Sequence, residues 1–308
     1  MGKVRTDWKG VFPPVVTPFK ADGAIDEEAF RKVIDLQVAD GAHGIIVAGS
    51  TGEWFSVSDA ERIRLFEIAK EQIAGRRPLL AGTAAMATDH AVQLTKAAKR
   101  IGCDGCMVLP PPYVLPTTRE VIAHYKAIAD VGLPVMLYNN PGRTQVNLVA
   151  AIVDKVAEFD SVVAVKDSSK DLFQKAETCA RVKDRLAVFT GMEPYGMTMI
   201  QRGAVGLVAM IANVACADTV AYCEHASARR WDEGLRHQAV IDGLYEIIGR
   251  YGLGNYPSIK ALMGLRGLPG GFARRPYLPP EPEVLAKMKA DLARIHFATG
   301  SAKRVAAE

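Results

Sequence analysis

Three short segments of this 308-residue chain carry side chains suited to carbonyl chemistry: Gly49-Ser50-Thr51-Gly52-Glu53, Tyr138-Asn139-Asn140-Pro141 and Lys166-Asp167-Ser168-Ser169. Lys166 is the most informative residue. Four apolar residues, Val162-Val163-Ala164-Val165, lead straight into it, so its ammonium is expected to be driven into a place where it sheds water. Desolvation increases the share of free amine, and a free amine in an apolar pocket attacks ketones to form a Schiff base. The plainer alternative is a structural lysine paired to a carboxylate such as Asp167 or Glu53. Tyr138 could pass a proton to and from a carbinolamine oxygen, or could be a core tyrosine with a satisfied hydroxyl. The turn at Ser50 and Thr51 suits backbone N–H groups and hydroxyls that hold a carboxylate, although its two glycines also fit ordinary loop geometry. Arg143 follows the tyrosine closely enough to clamp a second carboxylate or a hydroxylated tail, or else packs as a surface arginine on its own loop. Asp167 is expected to cap the next helix.

Such groups need a scaffold that gathers them. Eight β-prone runs recur: 11–16, 44–48, 78–81, 105–109, 134–138, 162–166, 186–189 and 206–210. Each is almost continuously apolar, as in parallel strands covered on both faces. The segments between them begin with helix signals: Asp26-Glu27-Glu28, and the capping boxes Ser58 to Glu61 and Thr117 to Glu120. Gly41, Gly102 and Gly203 stand where helices should stop, each followed three residues later by a glycine that opens an apolar run. Gly41 and Gly102 enclose two units of about 30 residues, the size of a βαβ repeat.

Eight such units predict a (β/α)8 TIM barrel with its active site at the C-terminal ends of the strands, where all three segments lie. A doubly wound open sheet is the alternative, but no G-x-G-x-x-G follows the first strand. We divide the chain into a barrel core over 1–214 and, over 215–308, the final barrel helix with a helical extension. The extension is read as helices near 217–228, 230–250, 257–265 and 282–297, with a frayed tail from Thr299.

Composition excludes several classes. Hydrophobic residues are 49% and charged residues 23%, which is globular usage. The net charge of +4 is spread without a basic block, so neither nucleic acid nor an acidic membrane is expected as a partner; a small metabolite is. No segment reads as a signal peptide or membrane span, which predicts a soluble, cytoplasmic protein. Five irregularly spaced cysteines predict reduced thiols, and Cys103-Asp104-Gly105-Cys106 is read as a pair of buried structural thiols because no second pair or nearby histidine completes a zinc site. The six histidines form no spaced ligand pair, so no metal is expected. A phosphate-binding barrel would want a glycine-rich cradle after strand seven, and Thr190-Gly191-Met192-Glu193-Pro194 is not one.

In their order and register, G-S-T-G-E, Y-N-N-P and K-D-S-S resemble the dihydrodipicolinate synthase and N-acetylneuraminate lyase family. The resemblance extends from Thr17-Pro18-Phe19 through Pro111-Pro112-Tyr113 and Gly206 to Ala209, and on to Gly271 through Pro279. It implies a class I, metal-free lyase acting on 2-oxo acids without a cofactor. It implies Lys166 as the Schiff-base lysine, Tyr138 as proton shuttle and Ser50 as its relay. By the same resemblance Thr51 and the Ser50 backbone hold the substrate carboxylate, the Val208 carbonyl lines the pyruvyl pocket, and Tyr113 joins the substrate site. It also implies a homotetramer, a dimer of dimers.

Two departures point away from the synthases. Those enzymes carry two consecutive tyrosines after strand four, the second reaching into a neighbouring subunit's relay, whereas here Val114 follows Tyr113. Met86 and His90 stand where lysine-inhibited members carry Asn and Glu. The expectation is a catabolic relative that cleaves or dehydrates a hydroxylated 2-oxo acid such as a 2-keto-3-deoxy sugar acid. The alternatives are a 4-hydroxy-tetrahydrodipicolinate synthase and a paralogue that binds 2-oxo acids without turning them over.

Overall fold

The computed structural model describes residue 4 and residues 6–297; the expected frayed tail from Thr299 lies outside them. Eight parallel strands alternate with helices. The strands are β1 (Gly10–Val11), β2 (Ile45–Val47), β3 (Leu79–Gly82), β4 (Gly105–Val108), β5 (Val135–Asn139), β6 (Val162–Asp167), β7 (Ala187–Thr190) and β8 (Gly206–Leu207). Each pairs with its sequence neighbour from β2 to β8, and β8 returns to β1. The ring closes through a bridge from Pro14 to Ile46, with the Val15 N–H on the Ile46 carbonyl (2.9 Å) and the Ile46 N–H on the Pro13 carbonyl (3.0 Å). This is the expected (β/α)8 barrel.

The first strand is shorter than the run 11–16. Pro13 and Pro14 have no N–H to donate, so the regular ladder stops at Val11. A side chain completes it: Asn213 accepts from the Val16 N–H (3.0 Å) and donates to the Pro14 carbonyl (3.0 Å). Beside that anchor a short turn from Ala212 is set off by the non-helical Ala215 (φ −143°, ψ 62°), and the helix expected at 217–228 follows the break.

The outer layer is α1 (Glu27–Ala39), α2 (Asp59–Ile73), α3 (Thr88–Ile101), α4 (Thr118–Ala129), α5 (Pro141–Thr144), α6 (Ala150–Val156), α7 (Leu172–Val182), α8 (Gly196–Gln201) and α9 (Ala212–Ser227). Local signals act where they were read. Asp26 caps α1 by accepting from the Ala29 N–H, and Ser58 and Glu61 form a reciprocal capping box on α2. The Glu120 carboxylate accepts from the Thr117 N–H at the start of α4 (2.7 Å). Gly41, Gly102 and Gly203 all take positive φ, the left-handed turn that closes a helix.

Three further helices, α10 (Trp231–Arg250), α11 (Asn255–Leu265) and α12 (Pro282–Leu292), pack on the barrel. The last ends earlier than the expected 297. Among the described residues no helix is long and apolar enough to cross a membrane. All five cysteines are buried free thiols, and burial pushes Cys103 and Cys106 up to about 12, as suits structural thiols.

Candidate active site

The register of β5 against β6 decides what faces what. Val135 pairs with Val162, but Met136 pairs with Ala164, so Val163 is an extra residue that bulges out of the ladder. Beyond the bulge Tyr138 lies opposite Lys166 and Asn139 opposite Asp167. A one-residue slip in this ladder would exchange inward and outward side chains, so the bulge is what aligns the tyrosine with the lysine. The Lys166 Nζ sits 3.8 Å from the centroid of the Tyr138 ring, and both residues are buried.

The tyrosine is held from its own strand end. Asn140 donates through Nδ2 to the Tyr138 phenol oxygen (2.9 Å), leaving the phenol hydrogen free to be donated elsewhere. Burial alone would push the pKa of the phenol up. The charge of Lys166 and the hydrogen-bonding groups of Asn140, Lys166 and Ser168 outweigh it and hold the phenol below its ordinary value. Asn139, one residue earlier, points the other way. Its side chain accepts from the Leu148 N–H (2.9 Å) and donates to Asn147 (3.1 Å), which fixes the loop that follows.

Neither carboxylate that could have neutralised Lys166 does so. Asp167 is taken by Lys175 of α7, whose Nζ lies 3.5 Å from Oδ1 and also donates to the Asp167 backbone carbonyl. Glu53 is taken by Lys260 of α11 at 2.5 Å. Lys260 donates as well to the carbonyls of Thr17 (2.7 Å) and Phe272 (2.6 Å), and Glu53 accepts from the Arg274 N–H (3.0 Å). The Thr17-Pro18-Phe19 segment, the Gly52-Glu53 turn and the segment after Gly271 therefore meet in one buried knot. Among the described residues Lys166 makes no ion pair. The expected capping role of Asp167 is also corrected. Asp171 caps α7 by accepting from the Gln174 N–H, while Asp167 accepts from the Ser169 N–H (2.7 Å).

The remaining expected residues are placed as follows. Thr51 is buried and Ser50 half-buried in the turn after β2, supported by the Thr17 hydroxyl on the Gly52 carbonyl (2.8 Å). Ser50 is not hydrogen-bonded to Tyr138 among the described residues; Asn140 has that position, so the expected relay is not formed in this state. Val208 is buried just beyond β8, with its N–H on the Thr190 carbonyl (3.0 Å). Arg143 is exposed, with its guanidinium 5.5 Å from the ring centroid of Tyr256 of α11 rather than packed only on its own loop. Tyr113 is not brought into the site of its own chain. A positive φ and the bond from the Val114 N–H to the Pro112 carbonyl turn it outward at a loop tip, 86% exposed.

Three residues escaped the sequence reading. The Ser168 hydroxyl is buried beside the site, next to the Tyr138 phenol that it helps to hold down. A Cβ on Gly191 would lie 1.9 Å from that hydroxyl and 2.6 Å from Lys166 Cε, so only glycine leaves room for the lysine. Glu193, fully buried after β7, accepts from the Ile211 N–H (3.0 Å) and the Tyr245 hydroxyl (2.5 Å), and burial pushes its carboxyl up. Gly191-Met192-Glu193 carries its signal in the sequence, an acid close behind a strand end.

Comparison with known proteins gives a consistent result. An uncharacterized DapA-like lyase of Rhizobium meliloti is 43% identical over 296 residues, which cover 96% of this chain and 99% of that protein. A 4-hydroxy-tetrahydrodipicolinate synthase of Syntrophobacter fumaroxidans is 34% identical, covering 92% of this chain and 98% of its own. Among solved structures, the chloride-inhibited dihydrodipicolinate synthase of Acinetobacter baumannii in complex with pyruvate superposes with a TM-score of 0.87 at 29% identity, covering 94% of this chain and 99% of the other. The model of the dihydrodipicolinate synthetase family matches residues 7–295. With a match over nearly its whole length and the barrel to go with it, this chain belongs to the dihydrodipicolinate synthetase family and is an enzyme of the class I aldolase type.

Proposed function

We propose that this enzyme forms a Schiff base between Lys166 and a 2-oxo acid and uses it to cleave or dehydrate a hydroxylated substrate, such as a 2-keto-3-deoxy sugar acid. The observation that carries this reading is the pairing pattern of the buried lysines. Asp167 and Glu53 are each occupied by another lysine and Glu193 is bound to Tyr245, which leaves Lys166 without an ion pair among the described residues and against the face of Tyr138. A buried amine without a counter-ion is poised for nucleophilic attack.

In this reading the Lys166 nitrogen adds to C2 of the oxo acid, and the phenol of Tyr138 supplies the proton with which the carbinolamine oxygen leaves as water. The resulting iminium accepts the electron pair of a breaking C3–C4 bond, or of a C3–H bond when a hydroxyl is then expelled from C4. Thr51 and the backbone at Ser50 hold the C1 carboxylate, with the Val208 carbonyl against the methyl side. Ser50 would enter the relay once substrate displaces the bond from Asn140. Arg143 meets the distal end of the substrate. Arg143→Ala is therefore expected to raise KM for the long substrate and to spare trapping of pyruvate, because binding is lost away from the reacting centre.

Condensation of pyruvate with aspartate semialdehyde is the second reading, supported by the name of the Syntrophobacter relative. Against it stand Val114, which cannot pass a proton, and an exposed Met86 beside a His90 engaged with Asp59 (2.8 Å). The exposed Tyr113-Val114-Leu115 tip supports assembly of copies, for which we propose a homotetramer in the cytoplasm. The test is a screen of 2-oxo acids and keto-deoxy acids with pyruvate release as readout. Faster condensation with aspartate semialdehyde than turnover of every keto-deoxy acid, especially if lysine inhibits it, would overturn the catabolic reading. Failure of borohydride to fix pyruvate on Lys166 would overturn the Schiff-base chemistry itself.

A further inference from the structure

We infer that the buried pair Lys175 and Asp167 sets the protonation of Lys166, with Lys175 as a positioning residue that cancels the one carboxylate adjacent in sequence to the reactive amine and adds a fixed positive charge behind it. This rests on Lys166 being the Schiff-base lysine.

Successive residues of a strand point to opposite faces, so Lys166 faces the barrel interior while Asp167 faces the helices. An ionised Asp167 by itself would stabilise the ammonium form of its neighbour and weaken it as a nucleophile. Lys175 is 1% exposed and approaches Asp167 from the second turn of α7. It touches that residue twice, at carboxylate Oδ1 and at the backbone carbonyl. Asp167 Oδ2 is buried without a hydrogen-bond partner, so the pair is incompletely satisfied. A pair serving only to hold β6 against α7 would gain from satisfying that oxygen. Its location one residue from the reactive amine gives it another use.

The charged and titratable groups around Lys166 are few. Tyr138 faces it from β5, Asp167 adjoins it on β6, Lys175 stands behind it on α7, and Glu193 after β7 interacts with it while bound to Tyr245 of α10. Burial pushes the Lys175 ammonium down, Asp167 opposes this, and the charge of Lys166 adds to the downward push, so the two lysines interact electrostatically. A second cation near a Schiff-base amine is a general means of keeping that amine unprotonated. Nothing in K-D-S-S discloses it; the cation comes from nine residues further on, across a helix start.

The test is the pH dependence of trapping on Lys166, with pyruvate and cyanoborohydride as probe and the adduct quantified by peptide mass spectrometry. Lys175→Met removes a positive charge and bares Asp167, so the acid limb of the trapping profile is expected to move up by about one pH unit. Asp167→Asn keeps the acceptor for the Ser169 N–H but removes the negative charge, so the limb is expected to move down. The double variant, which also guards against poor folding of Lys175→Met, should return the limb close to that of the parent enzyme, and Lys175→Arg should hold it there. Opposite displacements by the two single variants cannot come from structural damage. Coincident limbs, or displacement of both in one direction, would overturn the inference while normal trapping of the parent enzyme left the Schiff-base reading intact. Absence of any adduct on Lys166 in the parent enzyme would overturn both.

Discussion

Lys166 and Lys260 are buried almost equally, 5% and 3% exposed, and each lies over an aromatic ring, Tyr138 and Phe19, yet their polar partners differ. Lys260 lies 2.5 Å from Glu53 and donates to the carbonyls of Thr17 and Phe272, so an acceptor faces each of its three hydrogens. Burial still pushes it down to about 8, with Glu53 opposing. Lys166 has an aromatic face at 3.8 Å and no carboxylate partner among the described residues. Burial alone therefore does not distinguish a structural lysine from a reactive one; the partner does. A satisfied ammonium ties segments together, and an unpaired one is left to react.

That contrast is most sharply tested by exchanging the roles. Lys166→Ala is expected to abolish reductive trapping and turnover while leaving the barrel folded, because no ion pair is lost with it. Mass spectrometry locating the adduct on another lysine would break the comparison at its centre. Lys260→Met should do the reverse. It leaves the Glu53 carboxylate buried without its ammonium and should cost about 3–5 kcal/mol in urea unfolding, while the protein that remains folded still traps pyruvate. A stability within experimental error of the parent would show that the knot beneath the Ser50 turn is not held by this pair.

Tyr138→Phe comes next. The ring stays beside Lys166 but the proton donor is removed, so pyruvate should still bind while turnover falls ~10²-fold. Unchanged turnover would assign the phenol a packing role only. The smallest expected effect belongs to the outer ion pair of the same knot. The hydrogen bonds from Arg274 hold the Glu61 carboxyl down at about 2. A carboxyl depressed in the folded state contributes stability fully above its ordinary value of 4.5, and that contribution disappears as pH falls towards 2. The pair is partly exposed to solvent, so the contribution is about 1 kcal/mol or less. Glu61→Gln should flatten the stability profile over that window and leave neutral-pH activity unchanged; an identical profile would count against the pairing.

Much of the barrel was legible because its signals are local. Continuous apolar runs, capping residues such as Ser58 and Asp26, and the glycines at 41, 102 and 203 act over a few residues and mean the same thing in most contexts. The inward course of Lys166 was legible for the same reason, from the four apolar residues before it. The outward turn of Tyr113 was not legible because a positive φ at a loop tip is not marked by the tyrosine itself, and the capping of α7 was misassigned to Asp167 because Asp171 offered the better geometry.

The amino-acid order by itself determined the alternation of strands and helices, and it determined which residues stand at the strand ends, since both follow from short-range backbone preference and hydrophobic pattern. It could not determine who pairs with whom. Glu53 and Lys260 are 207 residues apart, Asn140 reaches back to Tyr138 only because the strand has ended, and the bulge at Val163 exists only as a mismatch between two strands. Only the closed barrel decided that Asp167 and Glu53 would be occupied by other lysines and Glu193 by Tyr245, and thereby which buried lysine was left without an ion pair among the described residues, because burial and pairing depend on distances that sequence separation does not encode.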